Sequence, residues 1–174
     1  MAFLHDATLV PSKKQLLNEW LPRQPWFTEV SWDPVGSFRF DDPLGQVGME
    51  GFLLGPADGG LFVPLTYRDA ALEDGEPYFV GNMEHSALGT RWVYDAWGDP
   101  AWLAVVETTI RSAGTQAVEE VEGEGVREPS ATVVGSGGDG THLEYRRVLG
   151  EPLDATSTLT ATWKGGTAVV AGLL

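Results

Sequence analysis

Leu16, Leu17, Trp20 and Leu21 fall at the spacing of one helical face. Ser12 stands ahead of them, and Gln15 three residues later completes a capping box, so a helix is predicted to start there. Pro22 and Pro25 end it. So short a helix is not stable alone, and its apolar stripe must lie on a sheet. A short strand over Asp6–Val10 leads in. From Trp26 onward the period shortens to alternation and brief apolar runs. This predicts strands near Phe27–Trp32, Gly36–Phe40, Val47–Leu54, Leu61–Tyr67, Tyr78–His85 and Thr90–Tyr94. The separators Asp33-Pro34, Asp41-Asp42-Pro43, Ala57-Asp58-Gly59-Gly60 and Glu73-Asp74-Gly75 carry turn chemistry. Consecutive short strands joined by tight turns pair antiparallel, because parallel pairs need long crossovers.

The helical period returns at Asp99-Pro100, an acid at the cap and a proline in the first turn. Trp102, Leu103, Val105, Val106 and Ile110 form the buried face, and Gly114 closes the helix. Strands are then predicted near Gln116–Val121, Ala131–Val134, His142–Val148, Ser157–Trp163 and Thr167–Leu173, with Gly123–Gly125 and Gly135–Gly140 as loops. A helix followed by antiparallel strands thus occurs twice, without residue-level repetition. The expected fold class is α+β: a curved antiparallel sheet with packed helices, followed by a second small antiparallel sheet. The expected units are residues 1–97 and 98–174, either separate or packed as one domain.

Composition narrows the function. The 174 residues, 43% hydrophobic with seven tryptophans and seven phenylalanines, are enough for a substantial core. The formal charge of −14 repels phosphate backbones and anionic membranes, so neither nucleic acid nor membrane is an expected partner. The same acidity also serves solubility. The sequence has no cysteine, which excludes disulfides, thiolate nucleophiles and cysteine-ligated metals. No signal peptide or membrane-length apolar run is visible, and the cytoplasm is the default expectation.

The stretch Tyr78–Asp95 concentrates the candidate chemistry. Ser86 to Thr90 reads as a turn, with Gly89 free to take unusual backbone angles. The hairpin this makes brings Glu84 or His85 across from the arm carrying Arg91, Tyr94 and Asp95, with faces set by a register the sequence leaves open. Glu84, His85, Ser86 and Asp95 are the ingredients of a hydrolytic triad. However, no G-x-S-x-G elbow surrounds Ser86, and neighbouring strand residues point to opposite faces. The plainer expectation is that Glu84 or His85 pairs with Arg91. Tyr67 and Arg68, with Arg91 and Asp95, would form the polar rim of any pocket. Trp20, Trp26, Trp32, Tyr67, Trp92, Tyr94 and Trp97 line either a stacking groove or, more simply, a core. The histidines His5, His85 and His142 are too dispersed for a metal motif. Asp41-Asp42 and Glu50 could join His85 in space, but Asp41-Asp42-Pro43 reads first as a turn. No metal and no cofactor are expected. The Gly135–Gly140 run lacks the Lys-Ser or Lys-Thr of a phosphate loop and reads as a hairpin loop.

Four stretches occurring in order, TLVPSKKQLLNEWLPRQPW, VGSFRFDDPLGQVGMEGFLL, VPLTYRDAAL and GNMEHSALGTRWVYD, resemble the N-terminal cap region of actinobacterial maltokinases and small stand-alone cap-like proteins. The resemblance covers roughly the first hundred residues. It implies a helix held against a curved antiparallel sheet in a cystatin-like layout. In the family the cap precedes a kinase body that phosphorylates maltose with ATP and magnesium. PSATVV at Pro129–Val134 looks like the nucleotide-covering loop of such kinases, and HLEYRRVL at His142–Leu149 like the strand that follows it. Yet His142, Leu143 and Glu144 stand where that strand carries its lysine, and Ala131 stands near the place of the loop asparagine. The sequence stops at Leu174, where the lobe with the catalytic base and magnesium-binding acids would begin. Phosphoryl transfer is mostly positioning and charge stabilisation by lysine and metal, so no kinase activity is expected. The resemblance therefore implies a non-catalytic binding or regulatory protein of bacterial α-glucan, maltose or trehalose metabolism. Such a protein would take a partner enzyme or a small sugar-like ligand. The rival readings are a small enzyme acting through Glu84, His85 and Asp95, and a small-ligand carrier. Oligomeric state is left open.

Overall fold

The computed structural model describes residues 1–28, 32–56 and 59–174. The strand expected over Phe27–Trp32 and the turn at Ala57-Asp58-Gly59-Gly60 lie partly outside the described residues. In chain order the elements are β1 (Ala2–Leu4), β2 (Leu9–Val10), α1 (Lys13–Trp20), β3 (Pro34–Phe40), β4 (Gly48–Leu54), β5 (Leu61–Arg68), β6 (Phe79–His85), β7 (Gly89–Asp95), α2 (Pro100–Arg111), β8 (Glu119–Val121), β9 (Gly125–Arg127), β10 (Ala131–Gly135), β11 (Leu143–Tyr145), β12 (Ser157–Trp163) and β13 (Gly166–Leu173).

Six strands form one antiparallel sheet in the order β2-β6-β7-β5-β4-β3. A four-stranded antiparallel sheet follows, ordered β10-β12-β13-β11. The class is α+β, as expected. The helix starts follow their sequence signals. Ser12 accepts from the Gln15 amide while the Gln15 side chain accepts from the Ser12 amide. Asp99 accepts from the Ala101 amide ahead of Pro100. The end of α2 differs from expectation. The helix stops at Arg111, and Ala113, not Gly114, takes the left-handed conformation (φ 52°). The Gly114 amide then donates to the Thr109 carbonyl.

A third sheet, β1-β8-β9, was not legible in the sequence. β1 pairs parallel with β8, against the expectation of purely antiparallel pairing. More than a hundred residues separate the two strands, which is ample for the crossover that parallel pairing requires. β8 occupies only the end of the strand predicted over Gln116–Val121, and β9 starts at the last residue of the expected Gly123–Gly125 loop and runs into residues for which no strand was predicted.

Alternation along the large sheet sorts its side chains between two cores. Leu61, Val63, Leu65 and Tyr67 of β5 face α1 and pack with Leu16, Leu17, Trp20 and Leu21. Phe62 faces the other way. With Phe38, Phe40, Met49 and Leu53 it joins Trp102, Val106 and Ile110 of α2, and Val133, Leu159, Ala161 and Trp163 of the four-stranded sheet. That second core draws on both sides of position 97. Two glycines let the helices approach. A Cβ on Gly81 would lie 2.7 Å from Leu16 Cδ1, and one on Gly135 would lie 2.0 Å from the Thr109 carbonyl oxygen. Among the described residues, no helix is long and apolar enough to cross a membrane.

Candidate functional site

The β6–β7 hairpin fixes the register that the sequence left open. Met83 pairs with Arg91, Glu84 with Thr90 and His85 with Gly89. Directly opposite residues share a face, so Met83, His85 and Arg91 lie together on the α1 side. Glu84 lies on the other face, exposed, where its carboxylate accepts from Thr90 Oγ1 at 2.7 Å. Arg91 donates to the Leu88 carbonyl within its own hairpin, so the expected pairing with Glu84 is replaced by a turn-stabilising bond. Asp95 is six residues from Gly89 along β7, about 20 Å at strand rise. It is buried, accepts from Arg147 and from the Trp97 amide, and cannot reach His85. Arg147 in turn sits over the Trp26 ring, 4.4 Å from its centroid. Burial raises the Asp95 pKa, and Arg147 opposes that rise.

The other predicted residues also have defined partners. Tyr94 is buried, and its hydroxyl accepts from the Leu72 amide at 2.9 Å. Arg68 donates Nε and Nη2 to the two oxygens of Asp99, each at 2.7 Å, while Thr66 Oγ1 donates to the same carboxylate at 2.8 Å. Asp42 accepts from the amides of Leu44, Gln46 and Val47, the turn chemistry expected of it. Of the aromatic set, Trp20, Tyr67, Tyr94 and Trp97 are buried in the cores.

Asp99 carries a stability prediction. Burial alone would raise its pKa, but the bonds from Arg68, Thr66 and the Ala101 amide hold it below the usual carboxylate value. A depressed folded-state pKa contributes stability above the unfolded value, and that contribution is lost as pH falls through the folded value. Asp99→Ala is expected to cost about 3 kcal/mol, from the lost cap and the unpaired Arg68. Urea midpoints from about pH 6 to about pH 2 should fall less steeply in the variant below about pH 4. Equal slopes would remove Asp99 from the acid response.

His85, Arg91 and Tyr67 do converge on one cavity of about 200 Å³, and Lys13, Arg39 and His5 join them there. Its outer wall is the segment ahead of α1. β2 pairs Leu9 with His85 and Val10 with Glu84, while Thr8 and Ser86 exchange hydrogen bonds. His5 and His85 meet edge to face at 5.8 Å. Beneath the cavity Glu50 is buried and accepts from Lys13 Nζ, from Arg39 Nη2 at 3.0 Å and from the Tyr67 hydroxyl at 3.1 Å. Arg39 faces Glu50 directly in the β3–β4 register.

The electrostatics follow from this arrangement. Burial would raise the Glu50 pKa, but Arg39 and Lys13 more than offset it and hold it low. Lys13 is lowered, first by burial and then by Arg39, with Glu50 opposing both. The pair is asymmetric because one carboxylate is shared between two cations. Burial and the Glu50 charge push the Tyr67 hydroxyl well above its usual value. His85 is lowered by burial and then by His5, Arg91, Lys13 and Arg39, all cationic or able to become so. Its Nδ1 accepts from the amides of Ala87 and Leu88 at 3.2 Å, which places the neutral ring's proton on Nε2. Sequence reasoning missed Lys13, Arg39 and His5. Lys13 had a signal: a cation in the first turn of a helix opposes the macrodipole and calls for a nearby carboxylate. Among the described residues no cluster of metal-ligating side chains is present.

Residues 20–99 match the family model described as the maltokinase N-terminal cap domain. That span includes Glu50, Tyr67, His85 and Arg91, while His5 and Lys13 precede it. Comparison with curated proteins and with solved structures returned no match.

Proposed function

We propose, from a chain that carries a maltokinase-cap-like domain across residues 20–99, that this protein works by binding rather than by making or breaking bonds. Its setting is bacterial α-glucan, maltose or trehalose metabolism in the cytoplasm. There it takes a small sugar-derived ligand or a partner enzyme of that metabolism. One observation carries the reading: the acids that would do chemistry are tied up in structural pairs, while His85, Arg91 and Tyr67 open on a cavity. Asp95 is held by Arg147, Glu84 by Thr90 on the opposite face, and Asp99 by Arg68. The rival enzyme needs Glu84, His85 and Asp95 within hydrogen-bond reach of one substrate, and the sheet holds them apart.

Calorimetric titration with maltose, trehalose and their phosphate esters, and with the enzymes that make or use them, tests this. Product analysis of the same mixtures completes the experiment. The expected result is saturable binding of at least one of these with every sugar recovered unchanged. Conversion of a bound sugar, or binding to none of the sugars or enzymes, would overturn the reading.

A further inference from the structure

The cavity beside α1 is basic in a strongly acidic protein. Lys13, Arg39 and Arg91 line it together with His5 and His85, and among the described residues no carboxylate lines it. Glu50 below supplies one negative charge against those three fixed cations, and the Glu122 carboxylate lies 3.4 Å from His5 Nδ1 at the outer wall. Both arginines are pinned along one edge, Arg39 to Glu50 and Arg91 to the Leu88 carbonyl. The Nε–H of each is sealed from solvent and cannot meet an anion in the cavity, so that role falls to the terminal Nη groups. The remaining charges of a chain with net charge −14 repel anions at long range. Cations gathered at this one place therefore act at short range, on something already docked.

We infer that this cavity is an oxyanion site. It takes a single phosphate or carboxylate group through the guanidinium groups of Arg39 and Arg91, with Lys13 and the His85 Nε2–H completing the donor set. Its volume of about 200 Å³ lies below that of pockets that enclose a drug-sized ligand. The cavity thus holds the charged end of a ligand, and any larger body projects outward past Phe3 and Leu88. The inference rests on the reading that the protein works by binding, and it narrows the ligand to an anionic one.

The chain has three histidines, of which His5 and His85 line the cavity while His142 does not. Imidazole NMR signals of the pure protein can therefore be followed while inorganic phosphate, sulfate, malonate or a neutral disaccharide is added at constant ionic strength. Phosphate or malonate is expected to shift His5 and His85 saturably and to leave His142 in place. Comparing the two anions tells phosphate from carboxylate. Arg91→Met should weaken that binding about tenfold or more. Its thermal midpoint without ligand should change little, because among the described residues Arg91 bonds only within its own hairpin. No saturable shift with any anion, or a shift that Arg91→Met leaves unchanged, overturns the oxyanion site. A neutral disaccharide that shifts His5 and His85 where no anion does would sink this inference yet leave the binding role standing. Anion binding without any response to sugars or their enzymes would do the reverse.

Discussion

Glu50→Gln is expected to destabilise the protein by about 3 kcal/mol or more and to make its stability depend on phosphate. Glu50 is 5% exposed, and its carboxylate is shared by Lys13, Arg39 and Tyr67. Removing one partner of a buried ion pair leaves the others desolvated and uncompensated, at a typical cost of about 3–5 kcal/mol. Glutamine keeps the shape and one acceptor oxygen, so the loss reports charge rather than packing. The pH dependence has a definite sign. Glu50 is held below its usual value in the folded state, so its contribution is present above about pH 4 and lost as pH falls through the folded pKa. In the variant the cavity holds its cations with no counter-charge. An anion that binds only the folded protein raises stability by mass action, so phosphate should raise the midpoint of Glu50→Gln more than that of the parent. Urea titrations at fixed ionic strength, with and without phosphate, measure both effects. A variant as stable as the parent would mean that the Glu50 cluster contributes no net stability.

The sequence exposed the local devices of this fold and not its long-range meetings. Ser12 with Gln15, and Asp99 with Pro100, are read within a few residues, and both helices start where those signals stand. Gly89, with φ of 73°, turns the β6–β7 hairpin inside the predicted turn. What stayed hidden is register and distance along the strand. One register puts His85 and Arg91 on the same face, and the simple length of β7 removes Asp95 from both. The cavity needed still more. Its wall is built by residues 1–10, held by β8 on one side and β6 on the other. No local pattern announces a parallel partner more than a hundred residues away. The Arg39–Glu50 pairing was within reach, because a hairpin closed around Asp42–Val47 sets those two residues opposite each other.

Trp102→Ala should cost about 3–5 kcal/mol, the range for truncating a fully buried tryptophan. It should do so without splitting the unfolding transition. The ring is wholly buried, with Phe40 at 5.4 Å, Trp97 at 6.0 Å and Phe62 at 6.4 Å between centroids. These neighbours belong to the large sheet or the turn after it, while Val106 and Ile110 on the same helix share a core with the four-stranded sheet. Emptying the site loosens the contacts of both sheets with α2 at once. For a chain of this length, each kcal/mol lowers the thermal midpoint by about 2–4 °C, so a fall of roughly 10 °C is expected. Trp102→Phe should cost much less, since it keeps most of the apolar volume and the indole N–H has no hydrogen-bond partner among the described residues. If residues 1–97 and 98–174 share one core, calorimetry should show a single transition in the parent, shifted as a whole in the alanine variant. Two transitions of which only one moves would mean that the halves fold separately and that α2 belongs to one of them. The physical reason to expect one is that α2 cannot bury Trp102 against the large sheet and Ile110 against the smaller one unless both are in place.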